Sequence, residues 1–147
     1  MKIFALVILF LLLFNRIKTT PSMLSKRLYR NRMQKTIDKQ GEEEISETMQ
    51  GAAILLVLLM ELFLIIFYGV LGGSIGTTTF IVLSALQIVT CIWTTLRDLA
   101  DFKSAFSKNV DDHKFYRWYF LFNVVLDYIY YPLAIYMLLK WKIIHYI

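Results

Sequence analysis

The sequence predicts an all-α, polytopic membrane protein: a four-helix transmembrane bundle with a short first span and an amphipathic helix lying at one interface. Two observations carry that expectation. Apolar residues make up 58% of the chain and charged residues 18%, against about 45–50% and about 25% in a soluble domain. The apolar residues are also gathered into four stretches, with the basic residues on their flanks. The same balance excludes an ordinary globular core and a disordered chain. The net charge of +5 does not read as a nucleic-acid surface, because its lysines and arginines form no separate basic domain. One cysteine, Cys91, cannot make an internal disulfide.

A helix needs about 20 mostly apolar residues to cross a bilayer. The first stretch, IFALVILFLLLF, satisfies this only if residues 3–17 form the span and Arg16 and Lys18 snorkel to the interface. It is followed by Asn15-Arg16-Ile17-Lys18 with no small-x-small site, so it reads as an uncleaved signal anchor. Residues 52–71, 77–96 and 115–139 supply three further spans, the last rich in Tyr and Phe. All four belong to a single transmembrane domain covering 1–147, with cytoplasmic connections 18–50 and 97–114.

The charges orient these spans. Lys26, Arg27, Arg30, Arg32, Lys35 and Lys39 fill the first connection, and Arg97, Lys103, Lys108 and Lys114 the third. The connection between the second and third spans, Gly69 to Gly76, carries no charge. The positive-inside rule then places both long connections in the cytoplasm and both termini outside. The Lys-led anchor and short loops point to a bacterial cytoplasmic membrane. Trp118 and Trp141 suit the two interfaces as aromatic anchors.

In the first connection, Thr20-Pro21-Ser22 reads as a helix start, with Tyr29, Met33 and Ile37 recurring every fourth residue. Gln40-Gly41 reads as a break, after which Glu42, Glu43 and Glu44 open a helix leading into the second span. The basic face at Lys26, Arg27, Arg30 and Arg32 is either a topology signal on a solvated helix or a docking surface for anionic lipid. In the third connection Leu99, Phe102, Phe106 and Val110 fall on one narrow helical stripe. That stripe fits a helix lying in the inner interface or packed under the bundle itself. Asn109 to Asp112 then offers cap residues for the fourth span.

Polar residues inside the spans are the most informative feature. Glu61, Gln87 and Asp127 lie near the middle of three spans. Asn123 and Tyr130 share the stripe of Asp127, while Ser84, Cys91 and Thr94 share that of Gln87. Such faces should turn inward, because an unpaired polar group in hydrocarbon is costly. With no Lys or Arg expected at that depth, the two acids have two available roles. They are protonated and bonded to Gln87, Asn123 and tyrosine hydroxyls as glue between helices, or they bind and release H⁺ or a metal cation.

Gly69 with Gly73 and Gly72 with Gly76 match the small-xxx-small spacing of close helix contacts, although a turn accounts for them equally well. Pro132 should kink the fourth span. No catalytic set, metal site or cofactor motif emerges. His113 and His145 fall at opposite faces, and Cys91 has no histidine at its depth. The expected function is therefore a non-catalytic integral membrane subunit or scaffold, partnered by the lipid bilayer and by itself or other membrane subunits. The alternatives are a proton- or cation-coupled channel or carrier using Glu61 and Asp127 and, more weakly, a holin-like permeabiliser.

Overall fold

The computed structural model describes residues 1–41, 45–109, 111 and 113–145, apart from the side chains of 103 and 141–145. Its helices are α1 (Lys2–Leu24), α2 (Lys26–Gln40), α3 (Glu47–Ile75), α4 (Thr78–Ala100), the short α5 (Phe102–Ala105) and α6 (Arg117–His145). Among the described residues there is no strand. Helices α1, α3 and α4, together with α6 as far as Lys140, are long and apolar enough to cross a membrane.

The first apolar helix is not short. Helix α1 runs 23 residues, about 35 Å at 1.5 Å per residue, against a hydrocarbon core of about 30 Å. It continues through Thr20-Pro21-Ser22, where a new helix was expected to start. Pro21 falls near the C-terminal end of α1, where the loss of one ladder bond is tolerable. The Thr20 and Ser22 hydroxyls donate back to the Arg16 and Thr19 carbonyls at 2.7 and 2.8 Å. The break comes at Ser25, which is extended (φ −122°, ψ 119°).

Helix α2 ends at Gly41, whose φ of +72° is left-handed territory that favours glycine. Glu42 to Glu44, expected to open the next helix, lie outside the described residues. Helix α3 starts at Glu47, with the Ser46 hydroxyl accepting from the Met49 amide at 3.3 Å. It closes on Gly76 (φ +69°), and Thr77 leads into α4. Two glycines of the run serve the two expected purposes, while Gly69 and Gly73 make no close approach. Gly76 makes the turn, and Gly72 brings α3 against α4 so closely that an added Cβ would lie 2.8 Å from Ser84.

The amphipathic helix expected over 99–110 does not form as one element. Leu99 belongs to the last turn of α4, Phe102 opens the four-residue α5, and Phe106 terminates it; Val110 lies outside the described residues. Local bonds at Asp101 compete with helix continuation. Its carbonyl accepts from the Ser104 amide at 3.0 Å and the Ser104 hydroxyl at 2.7 Å, and its carboxylate takes the Tyr116 hydroxyl at 3.1 Å. Asn109 does not cap the fourth span either. Its side chain accepts from the Asp111 amide at 3.1 Å, a local turn, and α6 opens only at Arg117.

Hydrogen bonds fix the helix register. Ser84, Gln87 and Thr94 of α4 meet Tyr130, Asp127 and Tyr119 of α6 in reverse order, so the two helices are antiparallel. Helix α6 is the central element, the most buried of the four long helices, whereas α1 is the least. Leu9, Tyr68, Leu71, Phe80, Tyr130 and Leu138 form the apolar core, with Tyr130 stacked on Phe80 (4.9 Å) and edge-on to Tyr68 (5.3 Å). The buried set also includes Ser84, Gln87, Thr90 and Asp127, whereas Phe4, Phe14, Leu56, Val89 and Trp93 are exposed. Buried polar groups set in an apolar core beneath an apolar exterior are the arrangement a hydrocarbon solvent selects.

Candidate functional site

The polar interior is centred on Asp127, whose side chain is 4% exposed. Oδ1 accepts from the Gln87 amide nitrogen at 2.7 Å. Oδ2 forms an ion pair with the Arg16 guanidinium, which is 21% exposed. This pair corrects the expectation that no cation lies at the depth of the acids. Arg16 does not sit at the end of a short span. It lies eight residues, about 12 Å, before the end of α1. The signal for it was present: Leu9, Leu12 and Leu13 precede Arg16 at helical spacing, and Leu9 is wholly buried with Leu12 and Leu13 packed on the same core. A single uninterrupted helix carries Arg16 onto that inward face.

Glu61 occupies the middle of α3 and accepts a hydrogen bond from the Thr95 hydroxyl. It does not sit at the level of Gln87 and Asp127. The hairpin at Gly76 sets Gly72 against Ser84, and counting eleven residues down each helix brings Glu61 opposite Thr95. Thr95 is eight residues beyond Gln87 on α4, about 12 Å of helix rise. The two acids therefore occupy different levels and hold different partners.

A cavity of about 220 Å³ joins those levels. Its polar lining includes Asn15, Arg16, Glu61, Gln87, Asn123 and Asp127. Tyr130 takes no part in it. That ring is completely buried, with its hydroxyl 3.0 Å from that of Ser84. Tyr68 and Tyr131 do line the cavity, and their hydroxyls lie 2.8 Å apart. Cys91 lines it as a free thiol. Among the described residues no group of three metal-ligating side chains forms.

The tyrosine pair gives a direct measure of how a buried polar contact contributes. Tyr68→Phe and Tyr131→Phe should each cost about 1 kcal/mol, since each removes the contact between the two hydroxyls. The double variant should cost less than the sum, by about 0.6 kcal/mol, the average coupling of such pairs in membranes. A double-mutant cycle of unfolding in mild detergent measures it, and strict additivity would show that the hydroxyls are not coupled.

A second polar region lies at the end of the bundle where α3 begins, α4 ends and α6 begins, here termed the basic end. The Arg97 guanidinium stands 4.4 Å from the centre of the Tyr119 ring and 5.2 Å from that of Tyr116, and contacts Asp98 at 3.3 Å. Tyr29 anchors α2 here through ring contacts to Phe115 and Phe120 at 5.4 and 5.7 Å. Burial pushes its hydroxyl pKa above the ordinary value, against the opposing charges of Arg97 and Arg32. Phe102 and Phe106 stand edge to face at 6.0 Å and, with Leu99, line a cleft at this end. Lys26, Arg27, Arg30 and Arg32 remain exposed on α2. Arg30 pairs with Asp111, and Arg32 donates to the Ser22 hydroxyl at 3.0 Å. No protein-family model, curated protein or solved structure matches the chain.

Proposed function

We propose that the chain is a non-catalytic integral membrane subunit or scaffold, with both termini outside and its two basic connections in the cytoplasm of a bacterial cell. The observation that carries this reading is the bonding of Asp127. From α6 it holds Arg16 of α1 and Gln87 of α4 at once, so its charge is spent on tying three helices together. A carboxylate engaged through both oxygens supports the glue role over that of a carrier site. The orientation follows from the basic residues of 18–50 and 97–114.

Native mass analysis of the full chain in mild detergent tests the assembly role, with an oligomer or a complex expected. A chain that travels strictly alone at all concentrations argues against it.

One observation favours a second reading, a proton- or cation-coupled carrier. Glu61 lines the cavity, and its hydrogen bond comes from a hydroxyl instead of a cation. Vesicles containing the protein should pass protons and monovalent cations no faster than empty ones. Flux above that level which Glu61→Gln abolishes would replace the scaffold reading with the carrier one.

A further inference from the structure

We infer that the basic end of the bundle binds one anionic phospholipid, its phosphate on Arg97 and Lys114 and an acyl chain along the first turns of α3. The inference rests on the four long helices spanning a membrane, which sets this end at an interface. A cleft of about 380 Å³ opens there between α3 and the chain from Arg97 to Phe120. One wall is aliphatic: Ala53, Ile54, Val57 and Leu58 of α3, facing Phe102 and Phe106. A wall of that kind on a spanning helix suits an acyl chain entering from the bilayer.

The other wall is charged: Arg97 and Lys114 stand against Asp98 and Asp101, and the adjoining cleft adds Lys26 and Arg30 against Asp111. Asp98 is held by Arg97, Asp101 accepts from Tyr116, and Asp111 of the adjoining cleft is held by Arg30. Two of the cations, Lys26 and Lys114, are not committed to an acid among the described residues. Arg97 Nη1 is buried and has no hydrogen-bond partner among the described residues. Lys114 lines both clefts, and the adjoining one, about 400 Å³, adds Lys26 and Arg30. A buried guanidinium nitrogen without an acceptor is a costly group to leave so. A phosphate oxygen meets the accessible part of the Arg97 guanidinium, whose side chain is 22% exposed, with a charge-assisted bond, and the lysines draw the same charge. Trp93 and Trp118, exposed at the same end, suit the headgroup level.

This site differs from the basic face of α2 read from the sequence. Arg27 and Arg32 do not line it, whereas Arg97 and Lys114, from two other segments, do. The test is a titration of the full chain in mild detergent, followed by native mass analysis. The probes are dioleoyl-phosphatidylglycerol, dioleoyl-phosphatidylcholine and glycerol phosphate. One phosphatidylglycerol should be retained per chain, about tenfold more tightly than phosphatidylcholine. Lys114→Ala and Arg97→Gln should each weaken it by about tenfold, the loss expected for one charge-assisted bond. Lys114 is exposed, so its removal leaves the fold intact if Arg97→Gln loosens it. Lys140→Ala, at the far end of α6, should change nothing. Equal retention of the two lipids, indifference to Lys114→Ala, or displacement by glycerol phosphate at equal concentration would each overturn the inference. Flux and oligomer measurements bear on the proposed function and not on this titration, so the two fail separately.

Discussion

Arg16→Gln is expected to destabilise the bundle by about 3–5 kcal/mol, the cost of removing one partner from a buried ion pair. The loss arises on the other side of the pair. Asp127 is 4% exposed and bonded to Gln87 through one oxygen, so without Arg16 its second oxygen faces the interior with a charge and no counterion. Partial exposure of Arg16, at 21%, places the effect toward the lower end of that range, because water reaches the guanidinium side. Arg16→Met combined with Asp127→Leu should recover part of the loss, since apolar replacement of a buried pair is often neutral or stabilising, but Gln87 then loses its acceptor. Unfolding of the detergent-solubilised protein by added SDS measures all three chains. If Arg16→Gln costs under about 1 kcal/mol, or the double variant is as unstable as the single, the pair does not hold the bundle together.

That cation also marks the boundary of what the sequence discloses. Apolar runs of about 20 residues identify spanning helices because the bilayer imposes their length, and four such helices are present. Hydropathy does not say where a helix stops. Phe14 ends the first apolar run, but the backbone stays helical to Leu24, and the polar residues carried along in that extension include the partner of Asp127. Depth is equally hidden. Glu61 and Gln87 each lie near the middle of their own span, yet the hairpin at Gly76 sets the offset between α3 and α4 and moves them about 12 Å apart. The stripe from Leu99 to Phe106 has a helical period, but period alone is blind to the bonds between Asp101 and Ser104 that break the helix.

Two neighbouring glycines of α3 should respond in opposite directions to the same substitution. At Gly72 an added Cβ would lie 2.8 Å from both Cβ and Oγ of Ser84, inside van der Waals contact. Gly72→Ala therefore forces α3 away from α4, an overpacking cost of about 1–3 kcal/mol. The strain does not stay local, because the Ser84 hydroxyl also meets Tyr130 at the centre of the core. At Gly73 nothing lies within 4 Å of the same added atom. Gly73→Ala should leave stability unchanged or raise it by up to about 1 kcal/mol, through the greater helix propensity of alanine. Adding Ser84→Gly to Gly72→Ala separates the causes. It removes the collision but also the bond to Tyr130, so recovery should be partial, short by about 1 kcal/mol. The same SDS titration applies to each variant. Equal effects at the two positions would mean that α3 and α4 do not approach at Gly72, and the register that separates Glu61 from Asp127 would lose its anchor.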